Sequence, residues 1–384
     1  MSDAGLDLPG EGVLPQQWLR KAVEQGIVHS DRTIPETSYQ PASVDLRLGE
    51  LAYRLRCSFL PGALTVEERL EDYAMEALDL RDGAILETNR PYLIPLQEEL
   101  DLPAGLRARA NPRSSTGRVD VFTRVITDRG FTFDEIKPGY RGKLYLEVVS
   151  RSFTVKVQTG ISLNQLRLIN GESRCSDREI VHLHARAPVL FVDGEPVRPQ
   201  DLVVSDGLFL SLDLRGDAAG EIGYRAKRNS RLLDLRQEYA HDPVDFWEPV
   251  RRERGNRAVL EPEEFYLLLS AEAVRIPPEY AAEMTAYEPT SGELRTHYAG
   301  FFDPGFGHSS GEESTGSKAA LEVRAHDVPF MVEDRQRVCK LAFERLVEPA
   351  NVIYGWGIGS AYQDQRVTLS RHFMREPAPA PPSG

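Results

Sequence analysis

Residues 111–147 hold the side chains best suited to chemistry on an anion. They read Asn111-Pro112-Arg113-Ser114-Ser115-Thr116-Gly117-Arg118, a hydrophobic stretch, Thr127-Asp128-Arg129, then Lys137-Pro138-Gly139-Tyr140-Arg141-Gly142-Lys143-Leu144-Tyr145-Leu146-Glu147. Arg113, Ser114, Ser115 and Arg118 offer forked guanidinium donors, hydroxyls and backbone amides, the groups that grip a polyphosphate. A carboxylate, Glu147, follows a short β-rich distance later. A basic hairpin with one solvated face would have the same composition, so the order of the surrounding elements has to decide.

Those elements sit in a chain of 384 residues with a net charge of −13. A general nucleic-acid binder would carry a basic footprint. Here positive charge is local: Arg107, Arg109, Arg113, Arg118, Arg124, Arg129, Lys137, Arg141 and Lys143 lie close together, with Asp120, Asp128, Asp134 and Glu135 among them. One basic segment in an acidic protein suits a small, highly charged anion better than a long polymer. No apolar run is long enough to cross a bilayer, and the first residues show neither a basic nor an apolar export region. Cys57, Cys175 and Cys339 are scattered and odd in number, which fits a reducing cytoplasm better than a disulfide framework.

The chain repeats itself. Residues 91–103 are echoed by 265–277, the Pro138-Gly139-Tyr140 hairpin and Leu146-Glu147 by Pro304-Gly305-Phe306 and Leu321-Glu322, and residues 163–168 by 338–343. Three echoes in the same order indicate two diverged copies of one unit. Short runs rich in Val, Leu, Tyr and Phe, punctuated by Gly and Pro, predict antiparallel barrels or jelly rolls rather than a βαβ sheet. Helix is sparse; residues 15–25 read as one amphipathic helix, with Trp18, Ala22 and Val23 on a face. His182-Leu183-His184 has alternating-strand spacing. The interruption at residues 215–220 places the boundary between copies there, giving units 1–218 and 219–375 and a disordered Pro/Ala-rich tail, 376–384. Residues 308–317 read as an unpacked Gly/Ser/Glu insertion.

In this order the motifs resemble the dCTP deaminase branch of the dCTP deaminase/dUTPase family, in a double-length tandem form. The motifs are Gln40-Pro41-Ala42-Ser43-Val44-Asp45-Leu46-Arg47-Leu48-Gly49, the Arg113–Arg118 turn, Asp128-Arg129, Pro138-Gly139-Tyr140-Arg141-Gly142, Leu146-Glu147, Tyr354-Gly355 and residues 359–365. The resemblance implies a mainly β protein of two tandem dUTPase-like, distorted, jelly-roll-like barrels with few short helices. It implies deamination of dCTP to dUTP and ammonia, supplying dUTP for thymidylate synthesis. Zinc deaminases use His-x-Glu and Pro-Cys-x-x-Cys elements; this chain has no Cys-x-x-Cys, so zinc is not expected. The expected metal is Mg²⁺, arriving on the triphosphate.

A zinc-free deamination needs a carboxylate to activate water and shuttle protons. Glu147 fits that role, with Ser114 and Arg118 orienting the water, as the resemblance implies. Arg113 and Ser115 would grip phosphate; Asp128 and Arg129 would stand at the mouth of the base pocket. The second copy carries its own Glu322, and His297 and Asp303 in a stretch resembling the family's base-recognition hairpin, but its phosphate turn, residues 287–295, lacks the Arg and Ser pair. The first copy lacks the closing tail, in which Tyr354 and Gln365 match sugar- and phosphate-binding positions and Ala361 replaces a Lys. In the family, sites form between neighbouring barrels of a trimer, so a trimer-based homo-oligomer is expected. Either the first copy keeps complete sites with Glu147, or its Arg-Ser-Ser turn meets Glu322 and the tail of a second copy. Both glutamates remain candidates. Alternative functions are a bifunctional enzyme that also hydrolyses dUTP to dUMP and pyrophosphate, for which Asp303 is present, and a non-catalytic deoxynucleotide-binding regulator. dTTP is the inhibitor the resemblance suggests; neither nucleic acid nor membrane is an expected partner.

Overall fold

The computed structural model describes residues 6–286, 294–296, 300–308, 315–325, 327–355 and 368–374. His297, Ala361, Gln365, the 376–384 tail, and most of the second phosphate turn and of the 308–317 insertion lie outside them. The chain is mainly β, in two units of the same plan, as the repeat predicts. In the first, a strand Ser162–Asn170 pairs with Leu106–Pro112 on one side and Val44–Arg47 on the other. In the second, Arg337–Arg345 pairs with Tyr280–Ala286 and Leu208–Ser211 in the same manner. The facing sheets match too: Pro91–Asp101 pairs with Arg141–Ser150, and Phe265–Val274 with Ser317–Ala325. Glu147 lies opposite Leu93, and Glu322 opposite Leu267. The two glutamates therefore occupy one position of the repeated unit.

This pairing corrects the expected boundary. Leu208–Ser211 and Leu190–Val192 belong to the second unit's sheets, so the changeover falls at residues 171–176 and not at 215–220. The interruption at 215–220 is a turn inside the second unit, where the backbone amide of Asp217 donates to Glu221 O at 3.0 Å. A fourth echo marks it in the sequence: Ser43-Val44-Asp45-Leu46-Arg47 recurs as Ser211-Leu212-Asp213-Leu214-Arg215. His182 and His184 lie on a helix, Asp177–Arg186, not on a strand. Ser176 and Glu179 form a reciprocal capping box, a local signal strong enough to start a helix. The predicted N-terminal helix is Gln16–Glu24, burying Trp18, Leu19 and Ala22.

Two devices hold the units in register. Arg167, fully buried, donates to Ala282 O and Phe302 O, each at 3.0 Å, and pairs with Glu344 at 3.1 Å. Arg109 bridges Glu135 and Glu283, each at 2.7 Å. Buried charges are costly unless paired, and Arg167–Glu344 and Arg109–Glu283 pair across the two units. In addition, second-unit residues cross into the first core: Leu233, Leu235, Phe246, Trp247 and Phe373 pack with first-unit residues such as Phe153.

Candidate active site

The Arg-Ser-Ser turn begins where the Leu106–Pro112 strand ends. Arg113 stays extended, and Ser114–Gly117 close one helical turn, with the amides of Thr116 and Gly117 donating back to Arg113 O. The turn places Ser115, Thr116 and Arg118 in buried positions, leaving Arg113 and Ser114 partly open.

What it faces is the second unit. Gly117 stands so close to Glu322 that a Cβ on it would lie 2.8 Å from Oε1 and 3.0 Å from Cδ and Oε2. A cavity of about 40 Å³ lies between them, walled by Arg113, Ser114, Gly117, Arg118, Phe301 and Glu322. That is room for one or two waters. Burial pushes the Glu322 carboxyl well above its ordinary value; the charge of Arg118 opposes this and that of Asp120 reinforces it. Asp120 accepts from Arg324 Nη2 and from Ser152 Oγ at 2.5 Å. A buried carboxyl that holds its proton more tightly than usual, beside a guanidinium and a water-sized space, is placed to exchange a proton.

A larger cavity, about 540 Å³, shares Arg113, Ser114 and Phe301 with the smaller one. Ser115, Asp45, Asp303 and Tyr354 line it, and Arg236, Arg371 and His372 complete one wall. Arg113 pairs with the buried Asp45 at 3.0 Å. Asp303, 3.5 Å from Arg167, is pushed up to about 6 by burial, with Arg167 opposing the shift. The amide of Tyr354 donates to Pro304 O at 2.7 Å, which fixes the start of the tail against the hairpin.

The equivalent position in the first unit is closed. Glu147 is 1% exposed, and its Oε1 accepts from Arg124 Nε at 3.0 Å and from Nη2. Arg124 in turn stacks 3.7 Å from the Phe133 ring centre and donates to Ser58 Oγ at 2.9 Å. A helix, Val66–Tyr73, started by a Thr65/Glu68 capping box, lies over this face. Asp128 serves that helix, accepting from the Val66 amide at 2.7 Å, and Arg129 is exposed beside it, its amide donating to Leu64 O at 3.0 Å. Neither Asp128 nor Arg129 lines either cavity. The structure thus brings Arg113, Ser114, Ser115, Arg118, Glu322, Asp303 and Tyr354 together and leaves Glu147, Asp128 and Arg129 apart.

Sequence reasoning missed Arg236, Arg371 and His372 because no motif spacing marks them; only the folding back of the chain end brings Arg371 and His372 to the wall. Among the described residues no three His, Cys, Asp or Glu side chains are grouped to hold a metal ion, and no helix is long and apolar enough to cross a membrane.

Family models match nearly the whole chain. Residues 10–172 match the N-terminal domain of 2'-deoxycytidine 5'-triphosphate deaminase, and residues 176–373 match its C-terminal domain. The chain belongs to the 2'-deoxycytidine 5'-triphosphate deaminase family. The matched ranges meet where the strand pairing changes over. A crystal structure of 2'-deoxycytidine 5'-triphosphate deaminase from Agrobacterium tumefaciens is 43% identical, with a TM-score of 0.82, over 88% of this chain and 99% of that one. Shorter relatives named "dCTP deaminase, dUMP-forming" include one from Parafrankia sp., 33% identical over 45% of this chain and 83% of that protein. Another, from Beutenbergia cavernae, is 31% identical over 40% of this chain and 80% of that protein. As a family member, this chain joins in one polypeptide the Arg-Ser-Ser turn of one unit and a buried glutamate of the other.

Proposed function

We propose that the chain deaminates dCTP to dUTP and ammonia at the composite site between its two units. The observation that carries this reading is the packing of Glu322 on Gly117 of the Arg-Ser-Ser turn. Arg113 and Ser115 hold phosphate at the larger cavity, and the pyrimidine reaches toward the smaller one. A water beside Glu322, oriented by Ser114 and Arg118, attacks C4 as the carboxylate takes its proton. That proton passes to N3, giving a tetrahedral carbon. The water's second proton passes through Glu322 to the amino group; the C4–N4 bond breaks, ammonia leaves and the C4 carbonyl forms while N3 keeps its proton. Water and dCTP are consumed, dUTP and ammonia produced. Glu147, held by Arg124, is structural in this reading.

Mg²⁺ would arrive with the triphosphate, held by phosphate oxygens and water and screening their charge; Asp45 and Asp303 face Arg113 and Arg167. Because one chain supplies both halves of the site, a trimer is not required for this pair to meet, and any homo-oligomer would repeat complete sites. dTTP, similar in sugar and phosphate, would compete for the same cavity. The product assay tests the proposal: protein, Mg²⁺ and dCTP, with nucleotides separated and ammonia quantified. dUTP with equimolar ammonia supports it, and no ammonia above a Glu322→Gln control refutes it. A second reading, in which dUTP is cut further to dUMP and pyrophosphate, is favoured by Asp303 in the cavity wall and by the relatives' names; dUMP and pyrophosphate in the same assay would establish it.

A further inference from the structure

We propose that the buried Asp120–Arg324 pair, which crosses from the first unit to the second, positions Glu322 for the reaction: it seats the carboxyl on the Arg-Ser-Ser turn and keeps a guanidinium engaged elsewhere. This deepens the deamination reading and rests on it. Side chains alternate along a strand, so Glu322 and Arg324, two residues apart on Ser317–Ala325, leave the same face. Glu322 packs on Gly117. Arg324 Nη2 donates to Asp120 Oδ2, with both side chains buried. Asp120 is in turn fixed to the residue Glu322 rests on, because its amide donates to Gly117 O at 2.9 Å. Ser152 Oγ donates to its carboxylate at 2.5 Å, and Asp120 O accepts from the Arg151 amide at 2.9 Å. One face of the strand thus meets one turn at two neighbouring points, a carboxyl on Gly117 and a guanidinium on Asp120. The backbone at Asp120 is left-handed, with φ 56°, which residues other than glycine adopt at a cost. A carboxylate stands there in spite of the backbone.

The first unit shows the alternative. Glu147 and Glu322 are equivalent, so Arg324 corresponds to Val149. In the first unit a guanidinium, that of Arg124, closes on the glutamate itself. In the second, Arg324 directs its terminal nitrogens to Asp120 and to Glu263 O, with Glu263 Oε2 at 4.0 Å. A strand rises about 3.3 Å per residue, so Glu322 lies within reach of a long side chain two positions away. Asp120 gives that side chain a partner on the other unit. Arg118 faces Glu322 from the turn, and Arg151 pairs with Glu263 at 2.9 Å beyond Arg324. That outer pair is partly exposed and therefore weak. The buried pair is the strong constraint, since removing either partner leaves the other charge desolvated and alone.

The test is ammonia release from dCTP across pH by Arg324→Met, Arg324→Lys, Asp120→Asn and the double variant Asp120→Asn/Arg324→Met, with melting curves on each. Asn is chosen because it tolerates a left-handed backbone. Arg324→Met should lower kcat roughly tenfold or more, the cost of a misplaced reacting group, while KM for dCTP changes less than about threefold. It also strips Asp120 of its counter-charge beside Glu322, so the acidic limb of kcat/KM should move to higher pH, opposite to Asp120→Asn. The double variant should bring the limb back toward its wild-type position and fold more stably than Arg324→Met, yet keep the low kcat. Arg324→Lys should restore the limb and recover part of kcat. Wild-type kcat in the double variant, or a limb that neither single change moves, would make the pair a structural brace and overturn the proposal. If Arg324→Met does not fold, the double variant and Arg324→Lys decide it. Glu322→Gln reads the pair without turnover: its gain in melting temperature between about pH 5 and about pH 8 should be larger in an Arg324→Met background and smaller in Asp120→Asn. Equal gains in every background would deny the pair any hold on Glu322. Absence of ammonia from the wild-type protein would instead count against the deamination reading, and the melting comparison would still judge the pair.

Discussion

Replacing Gly117 by alanine tests the composite site without touching a chemical group. The new methyl would lie 2.8 Å from Glu322 Oε1, whereas such contacts become ordinary at 3.4 Å, so the carboxylate must retreat by about 0.6 Å. The backbone need not object: Gly117 is the last residue of a helical turn, where alanine is preferred over glycine by about 0.5–1 kcal/mol. The strain therefore falls on the flexible Glu322 side chain, and the cavity of about 40 Å³ shrinks from the same side. Misplacing a reacting group by about 1 Å can cost on the order of 100-fold in rate, so Gly117→Ala should lower kcat roughly tenfold or more. Its melting temperature should stay the same or rise. The assay is initial-rate ammonia release from saturating dCTP, with KM measured alongside. Glu147 gives the opposite expectation, since its carboxylate is sealed under Arg124 on another face. If Gly117→Ala turns over dCTP within about twofold of the wild-type rate while Glu147→Gln does not, the composite assignment is refuted, because such a difference would be far below the cost of a displaced acid–base group.

Three further outcomes follow from the same geometry. Glu322→Gln should reduce kcat by roughly 10²–10⁴-fold, whereas Glu147→Gln should retain turnover and lose stability, by about 1–3 kcal/mol, because it leaves Arg124 less well paired; ammonia assays and denaturant titrations separate the two. The folded-state pKa of Glu322 is raised above its ordinary 4.5, so above that pH the native state holds more protons than the unfolded chain and stability falls as pH rises. Melting curves at about pH 5 and about pH 8 should therefore show Glu322→Gln gaining on the wild type at the higher pH, and a constant difference would contradict the raised pKa. Asp120→Asn removes a like charge that, after burial, holds the Glu322 proton; the acidic limb of kcat/KM should move to lower pH, and an unmoved limb would remove Asp120 from the account.

Much of this protein was determined by local sequence. Alternating Val, Leu, Tyr and Phe between Gly and Pro turns specify short antiparallel strands, and the ordered echoes specify two copies. The order of the Arg113–Arg118 turn, the hairpin and Leu-Glu specifies the family, because each motif is a contiguous run whose backbone and hydrogen-bonding needs are met within a few residues. The capping boxes at Thr65 and Ser176 are local signals too, but neither helix was read from the sequence, and the His182/His184 alternation pointed to a strand instead. The choice between Glu147 and Glu322 was not legible, since the two occupy one position of one repeat. Only tertiary structure separates them: the helix Val66–Tyr73 and Arg124 seal one, while the Arg109 and Arg167 network docks the other against Gly117. Asp128 and Arg129 were drawn to the site by motif order and taken from it by the same helix. Arg371 joins the wall because its neighbours Thr368 and Ser370 bond to Arg118 and Ser115, 250 and 255 positions earlier in the chain. Spacing along a sequence encodes what the backbone must do nearby; which buried charge keeps company with which is settled when the two units close on each other and every desolvated group has to find a partner.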